Sequence, residues 1–127
     1  MSLTEHRIGT AVAVADFEAA REFYEGKLGL VPKQVREGGM VAYECGGGSL
    51  LTVYSSPDFA GNRGGTVGGW DVEDLEAEMA ELEARGVEFE RYDLPDLKTD
   101  ERGIVDDGEM KIAWFKDPEG NTFAING

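Results

Sequence analysis

The sequence predicts an α+β fold made of two tandem β-α-β-β-β modules, eight strands in all. Three observations carry this reading. The segment Val14-Ala15-Asp16-Phe17-Glu18-Ala19 recurs as Val72-Glu73-Asp74-Leu75-Glu76-Ala77 at an offset of 58 residues, with an aspartate placed to cap a helix in both copies. A glycine stop follows each helix, in Leu28-Gly29-Leu30 and, one residue tighter, in Arg85-Gly86-Val87. The chain then closes on two apolar runs around Asp117-Pro118-Glu119-Gly120-Asn121, the pattern of an antiparallel hairpin.

Residues 7–14 alternate small and β-branched side chains and read as the first strand. Ile8, Thr10, Val12 and Val14 share one face; Arg7, Gly9, Ala11 and Ala13 share the other. Phe17, Ala20, Phe23, Tyr24 and Leu28 then fall at helical spacing, which predicts a helix over 16–28. Three strands follow, near 31–37, 40–45 and 49–54, separated by Gly38-Gly39 and Gly46-Gly47-Gly48. Residues 55–65 have linker composition, so module one spans about 6–55 and module two about 66–127 of a single domain.

Module two restarts with a strand at 67–72 and a helix over 74–86 striped by Leu75, Met79 and Leu82. Strands are expected near 87–92, 110–116 and 121–126. In the closing hairpin Ala113, Phe115, Phe123 and Ile125 form an apolar face suited to a covering helix, which Trp70 should join. Ile112, Trp114, Thr122, Ala124 and Asn126 form the other face. Residues 93–109 have no counterpart in module one, are rich in aspartate and glutamate, and read as a loop, either a lid or a solvated excursion.

Composition bounds the function. With 26 acidic against 12 basic residues the net charge is −14, which argues against nucleic acid or an anionic membrane as partner. No apolar run approaches a membrane span, and a lone cysteine without a leader points to a reducing cytoplasm. Cys45 has no evident activating base and reads as a small buried residue. The Gly46–Gly48 run lacks the Lys-Ser/Thr of a phosphate loop.

The paired modules, the aspartate-capped helices and the Asp-Pro-Glu-Gly-Asn turn together resemble the vicinal-oxygen-chelate superfamily, which includes glyoxalase I, extradiol dioxygenases and bleomycin-resistance proteins. The resemblance implies a concave mixed-sheet cleft with the helices outside, and commonly a homodimer. In the enzymes of that superfamily the cleft holds a divalent metal that polarises vicinal oxygens of a substrate. Carried onto this chain, the ligand positions fall on Gly9, Thr52, Val67 and Ala124, none of them an ordinary ligand for such a metal. His6, the only histidine, belongs by strand parity to the face away from Gly9. The expectation is therefore no metal and no other cofactor.

What remains is a lined cavity. Thr52 and Tyr54 share one face in module one; Met110, Ile112, Trp114 and Asn126 share one in module two, with Asp71 on the Val67 side. Such a mix of aromatic, aliphatic and polar groups suits a small-molecule pocket, though Trp114 reads equally as filler. Two functions compete. One is a protein that binds or sequesters an aromatic or cationic compound. The other is a glyoxalase-like lyase, isomerase or dioxygenase using Tyr54, Asp71 or Lys116, or a metal held in an unforeseen way.

Overall fold

The computed structural model describes residues 3–5, 7–61 and 65–127; His6, weighed above as a metal ligand, lies outside them. The chain divides into two compact units, Met1–Gly61 and Asn62–Gly127, at a boundary within the stretch of linker composition.

In the first unit the elements are β1 (Thr10–Val14), α1 (Phe17–Arg21), β2 (Pro32–Arg36), β3 (Met40–Glu44) and β4 (Leu50–Ser55). The sheet order is β1-β4-β3-β2, with β1 parallel to β4 and the other pairs antiparallel. Asp16 caps α1 by accepting the Ala19 N–H at 3.0 Å. The expected helix over 16–28 is α-helical only to Arg21 and then widens into a π turn over Glu22–Lys27. Gly29, at φ +74°, ends it as the sequence predicts. One sheet face carries Val12, Val14, Val41, Tyr43, Leu51 and Val53, all buried. There Tyr24 of the π turn stacks on Tyr43 with ring centroids 5.9 Å apart. Burying each such ring stabilises the unit by about 2 kcal/mol.

The second unit contains β5 (Gly68–Asp71), α2 (Leu75–Ala84), β6 (Asp93–Leu94), β7 (Leu97–Lys98), β8 (Val105–Asp106), β9 (Lys111–Lys116) and β10 (Thr122–Asn126). Its principal sheet, β5-β10-β9-β8, repeats the first, again with its leading strand parallel to its last. The cap repeats as well: Asp74 accepts the Ala77 N–H at 3.1 Å, 58 residues after its counterpart.

Two expectations for this unit need correction. Residues 87–92 do not form a strand; they make a single bridge, Phe89 to Phe115, plus a bond from Glu90 N to the Trp114 carbonyl at 2.8 Å. The 93–109 insertion is also more than a loop. It holds the β6–β7 hairpin and then β8, which pairs Val105 with Ile112 and Asp106 with Lys111. The outer edge of β9 is therefore shared, with the insertion leaving between its two partners.

The far end of the insertion is tied down on the α2 side. Arg102 reaches Glu76 and Glu83 of α2 at 3.4 and 3.3 Å, and Ile104 is buried. The Asp100 carboxyl is held below its usual range by the Ile104 N–H, with further backbone donors behind it. Gly103 is needed here: at φ +95°, a Cβ would lie 2.5 Å from the Glu90 carbonyl.

The closing hairpin has the predicted faces. Phe115 stacks on Phe123 at 5.8 Å, and Trp70 lies over both at 6.1 and 5.4 Å. Leu75, Met79 and Leu82 of α2 are buried as well. The turn is closed by Asp117, whose Oδ1 accepts the N–H groups of Glu119 and Asn121 and whose Oδ2 accepts Asn121 Nδ2. Gly120 supplies the positive φ, +92°. Asp117 and Asn121 are both buried and bonded to each other, so this motif is an architectural device.

Candidate functional site

Each sheet leaves one face without its helix. In the first unit that face carries Ala11, Thr52 and Ala42 in one row and Ala13, Tyr54 and Met40 in the next. Thr52 is half-buried and Tyr54 is 38% exposed, so the two polar groups singled out from the sequence do share this face.

In the second unit the rows are Gly69, Ala124, Trp114 and, beside it, Asp71, Asn126, Ile112. Asn126 Nδ2 donates to Asp71 Oδ1 at 2.6 Å. Met110 lies just before β9 in the turn from β8, exposed, with its N–H donated to Asp107.

Trp114 is the centre of the face. Its indole Nε1–H donates to Thr66 Oγ1 at 3.2 Å. Thr66 precedes β5 on the far side of β10, where Val67 N bonds the Thr122 carbonyl. The indole therefore crosses β10, on which Ala124, level with Trp114, is only 9% exposed. Tyr92 meets the indole edge to face, with centroids 5.8 Å apart. Burial pushes the Tyr92 phenol up, and the nearby Glu90 carboxylate adds to the effect. Glu90 itself pairs with Lys116 at 3.5 Å. Thr66 and Tyr92 were not among the sequence candidates. Alternation from Phe89 could have placed Tyr92 on this face; nothing local marks Thr66.

The four positions to which the resemblance carries metal ligands hold Gly9, Thr52, Val67 and Ala124. Gly9 has no side chain, Val67 and Ala124 have no donor atom, and Thr52 offers a neutral hydroxyl. Among the described residues no group of three or more His, Cys, Asp or Glu side chains could hold a metal. Two of the acid–base candidates, Asp71 and Lys116, lie on the same sheet but apart. Within the second sheet Asp71 stands level with Asn126 and Lys116 level with Thr122, four residues away along β10. That is about 13 Å along the strand alone. Cys45 is half-buried at the start of the Gly46–Gly48 turn. Among the described residues no helix is long and apolar enough to cross a membrane.

Two four-stranded mixed sheets, each led by a parallel pair and a capped helix, define the paired-module fold of the glyoxalases and their relatives. The chain belongs to the Glyoxalase/Bleomycin resistance protein/Dioxygenase superfamily, which it matches over residues 7–125. It is similar in structure to a glyoxalase / bleomycin resistance protein from Catenulispora acidiphila, with 25% identity, coverage of 94% of this chain and 96% of that one, and a TM-score of 0.68. It is likewise similar to TnmS3, an antibiotic binding protein from Streptomyces sp. CB03234, with 25% identity, 95% and 93% coverage and a TM-score of 0.69. No curated protein matches the chain.

Proposed function

We propose that this protein binds an aromatic, neutral or cationic small molecule against the helix-free face of its second sheet, without a metal and without transforming it. The observation that carries the reading is the Trp114 indole, laid across β10 and fixed by Thr66 at one end and Tyr92 at its edge. A half-buried, immobilised indole offers a stacking surface whose ordering cost is already met, and a cation over such a ring gains about 1 kcal/mol or more when desolvated. The net charge of −14 favours approach of cations over anions. TnmS3, described as an antibiotic binding protein, lends support from a relative of the same fold. Two chains would associate as a homodimer in a reducing cytoplasm, since β1 and β2, and β5 and β8, are edge strands of their sheets. Light scattering at micromolar concentration should give twice the chain mass.

The competing reading, a glyoxalase-like lyase, isomerase or dioxygenase, needs either a metal or converging acid and base groups. Saturation-transfer NMR of an aromatic compound panel, run beside a product assay with dicarbonyl and catechol substrates, separates the two. The expected result is binding without product in chelator-treated protein. Stoichiometric nickel, zinc, iron or manganese in protein purified without chelator, together with turnover, would overturn it.

A further inference from the structure

On the helix-free face of the second sheet, Asp71 is held but not neutralised. Its Oδ1 accepts the Asn126 amide at 2.6 Å, which fixes the carboxylate. No lysine or arginine among the described residues forms an ion pair with it, whereas Glu90 on the same face is matched by Lys116. Asp71 is exposed, and the half-buried Ile112 follows Asn126 in the same row.

Between this carboxylate and the indole the floor is low. Gly69 is exposed and has no side chain, and a Cβ there would lie 2.8 Å from the Ala124 carbonyl. The gap is thus built into the packing of β5 against β10. Gly69 and Asp71 are one two-residue step apart on β5, about 7 Å, a span that an aryl ring with a short side arm can bridge.

We infer that Asp71, positioned by Asn126, is the cation-selecting end of the site proposed above, and that the preferred ligand class is an aromatic ring carrying an ammonium group on a short aliphatic arm. The inference rests on the binding reading and adds its charge specificity. The ring contacts the Trp114 indole, the arm passes over Gly69 beside Ile112, and the ammonium donates to the Asp71 oxygen not taken by Asn126. Because Asp71 is exposed, the attraction is screened and modest, a matter of about threefold in affinity.

The test compares 1-naphthylmethylammonium with 1-naphthalenemethanol, near-isosteres of opposite charge status, by calorimetry at low ionic strength. The wild-type chain should bind the ammonium about threefold more tightly, and added salt should shrink that ratio. Asp71→Asn and Asp71→Ser should bring the ratio near one, chiefly by weakening the ammonium, and circular dichroism checks that both variants fold. Asn126→Ala should lower the ratio partway, a selective effect that simple destabilisation would not give. A ratio of one in wild type, or a preference that survives both Asp71 variants, overturns the inference while leaving the binding reading intact. If neither probe binds, the binding reading falls and this inference with it.

Discussion

Trp114 donates its indole N–H to Thr66 Oγ1 at 3.2 Å, across the full width of β10. The bond links the strand at one side of β10 to the segment entering the strand at its other side. It also accounts for a residue as small as Ala124 standing level with Trp114: a longer side chain there would lift the indole from the sheet.

Thr66→Val keeps the shape of the side chain and removes the acceptor. The expected cost is about 1 kcal/mol of stability. The larger consequence is a freed indole, with red-shifted emission and aromatic-ligand affinity weakened by about threefold. Unchanged emission and affinity in Thr66→Val would show that the bond does not hold the platform.

The closing turn should be among the most sensitive places in the second unit. Asp117→Ala removes the carboxylate that accepts from the Glu119 and Asn121 N–H groups and from the Asn121 side-chain amide, at a site where both Asp117 and Asn121 are buried. A loss of about 2–4 kcal/mol is expected in urea unfolding. A loss below about 1 kcal/mol would mean that water replaces the carboxylate freely.

The first unit carries a pH-dependent tie between helix and sheet. Arg21 donates to Glu25 at 2.6 Å and holds its carboxyl below the usual range, while the buried Tyr43 hydroxyl donates to the same oxygen at 3.0 Å. A carboxyl depressed in the folded state contributes stability that is fully present above its unfolded value of about 4.5 and is lost as pH falls through the folded value. Glu25→Gln should therefore lower stability by about 1 kcal/mol at pH 7, and the difference from wild type should shrink below pH ~4.5 as the wild-type carboxyl protonates. A difference that stays constant down to pH ~3 would contradict this assignment.

The architecture was legible because its signals are local and repeated. Asp16 and Asp74 announce their helices, Gly29 and Gly86 end them, and alternation sorts Phe115 and Phe123 from Trp114 and Ala124. The course of residues 87–109 was not legible. Whether Phe89 continues a strand depends on which segment pairs with the outer edge of β9, and β8 competes for that edge from beyond the insertion. The direction taken by 99–104 depends on Arg102 finding Glu76 and Glu83, contacts that no local pattern encodes. The site was legible in part. Parity gave the face shared by Ile112, Trp114 and Asn126, and the register then set Asp71 level with Asn126. The bond from Trp114 to Thr66 spans 48 residues and has no sequence signature.

On the proposed function, the Trp114 face binds an aromatic ligand by itself, with no metal taking part. The most direct measurement is calorimetric titration of 1-naphthylmethylammonium into chelator-treated protein, repeated after adding zinc or nickel and again with Trp114→Ala. Binding is expected in the metal-free protein, with the same affinity when metal is present and a loss of about tenfold on Trp114→Ala. Binding that requires added metal, or that survives Trp114→Ala undiminished, would contradict it.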